Sequence, residues 1–451
     1  MNQVCNIGVT QISQSTITPQ GVLPEHLCHL TPWDLHLLSL DYIQTGLLYQ
    51  KPRNISTHAL LDKLKHSLSL TLTHFFPLTG RFVTQNTTKP PSSSIFLDCR
   101  DGPGADFVYS VADATISDIL SPAYVPPLIG SLFALDRPLS HDGHNLPCLA
   151  VQVTELVDGV FIGCSFNHAV ADGSSFWHFF NTWSEISRSI EQNMNTPCIS
   201  RPPVTKRWSS DDQDPVINLP YSHPNEFIER YNPEPYRERI FHFTSQSIAK
   251  LKTKANAEFG TTKISSFQAL SAHVWRSVTR ARGLLGDEKT RILFPMDVRS
   301  RMEPPLPRDY FGNCIIFAHC TTTAGELLNN NLGWSAWMLH REIAEFGNMK
   351  VRSSLETIAK FPIQLGQVAS MPTVAFGMSH RFDVYTNDFG WGKPVAVRSG
   401  YGLKLDGKVC WYPGRHGGGD IDLEICLFPN SMDALESDDE FMSVVSPNPP
   451  M

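Results

Sequence analysis

A histidine and an aspartate four residues apart, His168 and Asp172, lie within residues 166–173, between an apolar run and an aromatic-rich run. Imidazole titrates near neutral pH, so His168 is the best candidate for a general base, and its small neighbours Ala169 and Gly173 let a substrate approach. Asp172 could orient the imidazole, ligate a metal, or anchor the loop through an arginine. The sequence favours the anchor and predicts no metal site, because no other His, Asp or Glu cluster has metal-ligand spacing.

By itself, a histidine four residues before an aspartate is a weak signal, since a half-buried structural histidine gives the same pattern. The flanking residues strengthen it. Residues 149–154 alternate and residues 160–166 are almost continuously apolar, which predicts a β-hairpin whose second strand leads to His168. After Gly173, with Ser174 or Ser175 near the helix start, the apolar residues that keep a helical period are Phe176, Phe179, Trp183, Ile186 and Ile190.

Two stretches of unusual composition follow in the C-terminal half of the chain. Residues 387–394 contain two glycines, a proline and two aromatic residues, which predicts a rigid irregular turn and favours a packing role over a catalytic one. Residues 294–301 predict a tight loop that carries Arg299 and Arg301. Either arginine could pair with Asp172 and so hold the turn that contains His168.

Length and charge bound the class of protein. The 451 residues exceed what one core comfortably fills, so we expect a domain at residues 1–200, a linker rich in Pro, Ser and Asp at 201–237, and a second domain at 238–451. The formal net charge is −7, from 37 basic and 44 acidic residues. No basic run is long enough to suggest a nucleic-acid partner.

Cysteine usage and hydropathy bear on the compartment. The ten cysteines lie far apart without a CxxC pair, which predicts reduced thiols in a cytoplasmic protein and neither a zinc site nor a compact disulfide framework. The N-terminus lacks a secretory pattern, and no run reaches the roughly 18 apolar residues that suggest a transmembrane span. We therefore expect no membrane association.

Both halves of the chain mix strands with helices, which predicts an α/β fold. Apolar residues recur at helical spacing in residues 58–72, 248–259 and 265–280, and the last of these begins with Ser265 and Ser266 at a capping-box spacing. Runs with strand character occur at residues 6–18, 149–154, 160–166, 291–294, 314–319, 381–385, 394–397, 408–412 and 421–427.

Together these motifs are typical of one family. Asn167-His168-x-x-x-Asp172-Gly173 in the N-terminal half and Asp388-Phe389-Gly390-Trp391-Gly392 in the C-terminal half resemble the signatures of the plant BAHD acyltransferases, the HxxxD-type acyl-CoA-dependent transferases. The likeness spans nearly the whole chain, because comparable segments occur at residues 76–81, 266–270, 297–301 and 310–313. Two separated motifs in the right order and spacing make the resemblance specific.

The resemblance implies a monomer of two α/β domains, each like chloramphenicol acetyltransferase with a mixed sheet and flanking helices, and a tunnel at their interface. It also implies an acyltransferase of plant specialised metabolism, which moves an acyl group from an acyl-CoA thioester to a hydroxyl or an amine. His168 would take the proton from this acceptor in a ternary complex, without an acyl-enzyme. Acyl-CoA would be a co-substrate, and no bound cofactor is expected.

The resemblance assigns structural roles to the other motif residues. Asp172 and Gly173 would shape the turn, with Arg299 or Arg301 as the partner of Asp172. The loop at residues 388–392 would stabilise the second domain and the side of the tunnel that binds CoA.

Binding residues are less sharply indicated. Lys252 and Lys263, with Ser265 and Ser266 at a helix N-terminus, form a candidate patch for the CoA phosphates, although exposed lysines need no ligand. Arg381 lies seven residues before Asp388. Transferases that act on shikimate or quinate are similar to this chain in carrying an arginine there for the acceptor carboxylate, and a structural arginine is the competing interpretation.

Two other functions fit the same fold. Peptide-synthetase condensation domains share an HHxxxDG motif, but Asn167 stands in place of their first histidine and the loop at 388–392 is foreign to them. A relative with a non-transferase role, a lyase or an inactive binding protein, could have its histidine altered or unused, whereas His168 and Asp172 are both intact here. The acyl donor and the acceptor stay open, because the tunnel lining comes from residues scattered over both domains.

Overall fold

A computed structural model of the protein describes residues 8–21, 27–88, 91–100, 102–191, 199–209, 216–221, 223–230, 234–360, 371–402 and 404–447. The predicted linker is therefore covered in part. Its residues 210–215, 222 and 231–233 lie outside the described residues, and so do residues 192–198 before the predicted boundary.

The strands follow one another along the whole chain. They are β1 (Val9–Ile17), β2 (Leu27–His29), β3 (Ile43–Gln50), β4 (Arg81–Thr88), β5 (Pro91–Asp98), β6 (Ala105–Ala112), β7 (Leu149–Glu155), β8 (Gly159–Phe166), β9 (Arg237–Phe243), β10 (Lys289–Asp297), β11 (Ile315–Thr323), β12 (Thr373–Met378), β13 (Ala396–Ser399), β14 (Lys408–Pro413) and β15 (Ile421–Leu427).

Helices separate many of these strands. They are α1 (Pro32–His36), α2 (Thr57–His74), α3 (Ile116–Leu120), α4 (Gly173–Glu191), α5 (Ser245–Phe259), α6 (Ser266–Ala281), α7 (Ala324–Asn329), α8 (Leu332–Glu345), α9 (Asn348–Lys360), α10 (Pro429–Glu436) and α11 (Asp439–Met442). Among the described helices, none combines the length and the apolar character that crossing a membrane requires.

Two mixed sheets organise the molecule. The first has the strand order β1-β6-β7-β8-β3-β13 and the second the order β11-β10-β12-β14-β15-β9. The pair β6 and β7 is parallel in the first sheet, and β12 is parallel to β10 and to β14 in the second. A small sheet, β2-β5-β4, lies beside the first. The expected α/β fold with two mixed sheets is confirmed.

Strand β13 crosses between the two halves of the chain. It belongs to the predicted second domain by sequence, yet Ala396 pairs with Leu48 and Ser399 with Thr45, so it forms the edge of the first sheet. The sequence predicts a strand here but carries no signal for its partner, because register depends on the other strand. The chain therefore leaves the second sheet after β12, adds β13 to the first sheet, and returns to the second sheet at β14.

The predicted strand at residues 381–385 is wrong. Strand β12 ends at Met378, whose φ of 62° turns the chain away from the sheet. The backbone N–H of Phe382 then donates to the carbonyl of Ser379 at 3.1 Å, and that of Val384 to the carbonyl of Phe382 at 3.1 Å, which are turn contacts. The alternation of charged and apolar residues here belongs to a turn that places Val384 in the core, and not to a strand.

Helix packing supports the strand that leads to His168. The hairpin of β7 and β8 forms as predicted, with Leu149 opposite Phe166 and Val153 opposite Ile162. Helix α4 presents its aromatic stripe to this sheet and packs on α2, where Trp183 Nε1 donates to Ser67 Oγ at 3.0 Å. The end of β8 and the start of α4 therefore rest on a rigid aromatic core.

Candidate active site

The turn between β8 and α4, residues 167–172, is closed by its first side chain. Asn167 is buried, and its Nδ2 donates to the carbonyl of Ser140 at 2.8 Å. Its Oδ1 accepts from the backbone N–H of Ala169 at 3.0 Å. Asparagine side chains stabilise turns through such local bonds. The amide thus ties the turn to Ser140 and fixes the backbone just after His168.

Residues distant in sequence hold the carbonyl groups of this turn. Asn313 Nδ2 donates to the carbonyl of His168 and to Asp34 Oδ1, each at 2.8 Å. Arg207 Nη2 donates to the carbonyl of Val170 at 2.9 Å, and its Nη1 lies 3.7 Å from Asp34 Oδ1. Burial raises the pKa of Asp34, and Arg207 and Asn313 partly offset this. The predicted linker therefore takes part in positioning the turn.

Asp172 is fully buried, and each of its carboxylate oxygens has two donors. Oδ1 accepts from Arg299 Nη2 and from the backbone N–H of Ser175, both at 3.0 Å. Oδ2 accepts from Arg299 Nη1 at 2.8 Å and from the N–H of Cys314 at 2.9 Å. None of these four bonds comes from His168, so Asp172 does not orient the imidazole.

Through its bond to Ser175, Asp172 is also the residue that caps the N-terminus of α4. Ser174 and Ser175 lie near the helix start, as predicted, at the second and third positions of α4. A carboxylate at this place is favourable twice, because it satisfies a free helix N–H and faces the positive end of the helix dipole.

The two candidate arginines lie in one short 3-10 turn, Arg299–Arg301, and their side chains separate. Arg299 is the partner of Asp172 and also contacts the half-exposed Asp297 at 3.2 Å. Arg301 Nη1 instead donates to the carbonyl oxygens of Ile343 at 3.0 Å and Phe346 at 2.5 Å, beside the C-terminal end of α8. Arg301 therefore anchors a helix and does not reach the turn.

His168 lies on the wall of a cavity of about 1340 Å³ that both sheets line. This volume exceeds the roughly 300–1,000 Å³ of a pocket for one small ligand. Wall residues from the first half of the chain include Tyr42, Gln44, Gly173, Trp177 and Asn181, and those from the second half include Pro295, Phe317, Ala375, Arg381 and Lys408. The cavity offers room for two reactants beside the imidazole.

Burial lowers the pKa of His168 below its ordinary value of 6.5. Its own backbone carbonyl and the charge of Asp172 act in the opposite direction, while Lys408 lowers the pKa further. The imidazole is therefore neutral at neutral pH and free to accept a proton.

The loop at residues 388–392 folds around the Asp388 carboxylate. Oδ1 of Asp388 accepts from the backbone N–H groups of Gly390 at 2.7 Å and Gly392 at 2.9 Å. Both glycines have positive φ, 107° and 116°, a conformation that other residues rarely adopt. This accounts for the two glycines of the motif.

Aromatic packing fastens this loop to the first sheet. Phe389 is fully buried, with its ring centroid 4.9 Å from that of Trp183 and 6.0 Å from that of Tyr49. Trp183 belongs to α4 and Tyr49 to β3, so the loop packs on the first half of the chain, whereas the resemblance implied that it stabilises the second domain. The loop lies there because it leads into β13, which pairs with β3. None of the five described residues 388–392 lines the cavity.

The candidate CoA patch lies apart from the cavity wall. Ser265 caps α6, since its Oγ accepts from the N–H of Gln268 at 3.3 Å, and Lys252 and Lys263 are exposed. The structure describes all four residues of the patch, and none of them lines the cavity: Lys252, Lys263, Ser265 and Ser266. Arg381 does line it, at an exposed position.

Three residues of this site were not predicted from the sequence. Asn313 and Arg207 support the turn, and Lys408 lines the cavity. A lysine at the start of the otherwise apolar run at residues 408–412 is the signal that could have found the last of them. Asn313 and Arg207 carry no such signal, because their partners lie more than a hundred and about forty residues away.

Comparisons with known proteins agree with this architecture. The profile described as the Transferase family matches residues 7–442. An uncharacterised acetyltransferase of Arabidopsis thaliana is 40% identical over 446 residues, covering 96% of this chain and 98% of the relative. The BAHD acyltransferase DCR of the same plant is 32% identical over 458 residues, covering 96% and 92%.

Solved structures show the same fold. Vinorine synthase matches with a TM-score of 0.74 and 21% identity, covering 98% of this chain and 99% of the other. TRI101 of F. graminearum, complexed with coenzyme A and T-2 mycotoxin, matches with a TM-score of 0.72 and 18% identity, covering 93% and 99%. Fold and site thus define the class of the protein as a transferase. The chain belongs to the BAHD acyltransferases, and the resemblance in its motifs is confirmed.

Proposed function

We propose that the protein transfers an acyl group from an acyl-CoA thioester to a hydroxyl or amine of a small plant metabolite, with His168 as general base. The observation that carries the proposal is the imidazole itself. It is held by its backbone, has a lowered pKa, and lies on a cavity large enough for two reactants. Membership of the family supplies the reaction class.

The chemistry requires one proton to move twice. His168 accepts the proton of the acceptor O–H or N–H while the acceptor attacks the thioester carbonyl, and a tetrahedral oxyanion forms. When this intermediate collapses, the C–S bond breaks, and the imidazolium returns the proton to the departing CoA thiolate. Asp172 holds the turn through Arg299 and takes no part in the proton transfer.

The nucleotide end of CoA has a different proposed contact. Lys252 and Lys263, with Ser265 and Ser266 at the start of α6, would bind its phosphates outside the cavity while the thioester reaches His168. Lys252→Ala and Lys263→Ala should then raise KM for acyl-CoA and leave kcat unchanged. Equal KM values in these variants and in an exposed control, Lys393→Ala, would remove the patch from the proposal. Arg381, on the cavity wall, is the proposed contact for the acceptor.

We further propose that the enzyme acts as a monomer in the cytoplasm, as the resemblance implies. The described cysteines have free thiols, which suits a reducing compartment. Light scattering of the purified protein would test the monomer, and a fluorescent fusion in plant cells would test the compartment.

A screen of acyl-CoA donors against a plant metabolite extract tests the reaction, with free CoA and new acylated masses as the readout. His168→Ala should reduce turnover by at least about 100-fold, the scale of a lost general base. His144→Ala is the matched control, because this histidine lies outside the cavity wall. Wild-type turnover in His168→Ala would favour the alternative, a fold relative with a lyase or binding role.

A further inference from the structure

Lys408 is a cation on the cavity wall that takes no part in the proposed acyl transfer. It opens β14, and its side chain shares a strand face with Cys410, because alternate residues of a strand point the same way. On the neighbouring strand β12, Ala375 pairs with Lys408 and Gly377 pairs with Cys410. All four residues line the cavity. This part of the wall therefore consists of small side chains around one ammonium group.

The glycine opposite this ammonium group creates its space. A Cβ atom built on Gly377 would lie 2.5 Å from Lys408 Nζ and 2.9 Å from its Cε. The ammonium group thus lies over the bare backbone of Gly377. Even an alanine at this position would displace it.

Three other basic side chains of the wall have acidic partners: Lys404 with Glu238 and Glu424, Arg282 with Asp406, and Arg299 with Asp172. A fourth, Arg301, is held by two backbone carbonyl groups. Lys408 differs from them. In the part of the chain that the structure describes, no acidic side chain forms an ion pair with its Nζ and no acceptor takes a hydrogen bond from it. Asp41, also on the wall, attracts it at longer range.

Lys408 is half-buried, and an ammonium group that loses part of its hydration without gaining a partner destabilises a protein. Burial accordingly lowers the pKa of Lys408. A ligand that supplies the missing negative charge would remove this penalty. A charged group with a perturbed pKa on a cavity wall therefore marks a binding position.

The charge balance selects the chemistry of the ligand. A phosphate carries up to two charges and is usually held by several donors, whereas the neighbouring cations Lys404 and Arg282 are already neutralised. Lys408 alone can balance one charge, and it lies close enough to lower the pKa of His168. The group it meets should therefore be a single carboxylate, near the reacting atoms.

We propose that Lys408 binds a carboxylate of a substrate inside the cavity, on the transferred acyl group or on the acceptor. The assignment of the carboxylate to a donor or an acceptor rests on the proposed acyl transfer, whereas the binding itself does not. Lys408 is thus a specificity residue, since it selects the acidic substrate over its neutral counterpart.

The test compares ligands that differ in the carboxylate. Malonyl-CoA and butyryl-CoA form the donor pair, and shikimate and its methyl ester form the acceptor pair. Calorimetry measures each affinity on the intact protein, without turnover. In wild type, we expect the acid of one pair to bind more tightly than its neutral partner, and that pair identifies the source of the carboxylate.

Three variants test whether Lys408 causes this preference. Lys408→Met keeps the length of the side chain without its charge, and should lower the ratio of acid to neutral affinity by about 10- to 100-fold, the range of a charged hydrogen bond. Lys408→Arg keeps the charge and should retain much of the preference. Gly377→Ala should displace the ammonium group and reduce the ratio while Lys408 stays in place.

The free protein provides a further readout. Lys408→Met removes a half-buried charge that has no acidic partner among the described residues, so its unfolding midpoint in urea should be higher than that of wild type. Equal binding of acid and neutral ligands by wild type in both pairs would overturn the proposal. An unchanged ratio of acid to neutral affinity in Lys408→Met would also overturn it. A lower urea midpoint in Lys408→Met, with an equal loss of affinity for the acid and the neutral ligand, would overturn it too and would indicate a structural role. A result with His168→Ala that refutes acyl transfer would leave these binding ratios intact.

Discussion

Asp172→Asn tests the separation of roles in the His168 turn. The asparagine keeps one oxygen and places an NH₂ group where the second oxygen accepted two hydrogen bonds. Among the described residues, the acidic partner that Arg299 then retains is Asp297, at 3.2 Å. The side chain of Asp297 is 46% exposed, so it compensates the buried guanidinium only weakly. Breaking one partner of a buried ion pair destabilises a protein by about 3–5 kcal/mol, because an uncompensated charge stays behind.

The matched control is Asp297→Asn. Asp297 contacts the same guanidinium from an exposed position, so its replacement should lower the free energy of unfolding by less than about 1 kcal/mol. Urea unfolding followed by tryptophan fluorescence measures both variants, at equal slope against denaturant. An Asp172→Asn protein with the wild-type midpoint and no turnover would refute the structural role, since it would place Asp172 in the chemistry.

The pH dependence of this difference has a defined sign. Burial alone raises the pKa of Asp172, but the charge and hydrogen bonds of Arg299 and the N–H groups of Ser175 and Cys314 lower it overall, below its ordinary value of 3.8. The carboxylate therefore stabilises the fold fully above about pH 4, and this contribution is lost as the pH falls through the lower, folded pKa. The gap between wild type and Asp172→Asn should narrow below pH 4.

The same contacts lead to three further expected outcomes. Because the pKa of His168 is below 6.5, kcat/KM should be level at neutral pH and fall on acidification below that value; a fall that begins above pH 7 would contradict a buried neutral base. Phe389→Ala should lower the free energy of unfolding by about 3–5 kcal/mol in urea and leave both KM values unchanged, with the exposed Lys393→Ala as control. Asn313→Ala should reduce kcat through a displaced His168 carbonyl, and a wild-type kcat would remove Asn313 from the positioning of the base.

Periodicity was enough to predict the elements around His168. The alternation of residues 149–154 and the apolar run after it define β7 and β8, and the aromatic period after Gly173 defines α4. These signals are local, because each strand and helix must bury one face. The candidate base was found for the same reason, since it lies where two strongly patterned elements meet.

The remaining features depend on contacts that a single sequence does not encode locally. Arg299 and Arg301 are equivalent in the sequence, and the 3-10 turn alone decides which one reaches Asp172, 127 residues away. Strand β13 could have paired in either half. Lys408 lies in a strand whose two faces are both largely buried. The sequence pattern therefore does not show whether its side chain faces the cavity or the helices on the other side of the sheet.

The position of the proposed base is consequently a property of the whole chain. The His168 carbonyl is held by Asn313, the Val170 carbonyl by Arg207, and the Asp172 carboxylate by Arg299, so the linker and the second half of the chain each fix part of one turn. These bonds lie beside the cavity that both sheets line. The turn that carries the proposed base is therefore fixed by contacts that join distant parts of the chain beside the space proposed for the substrates.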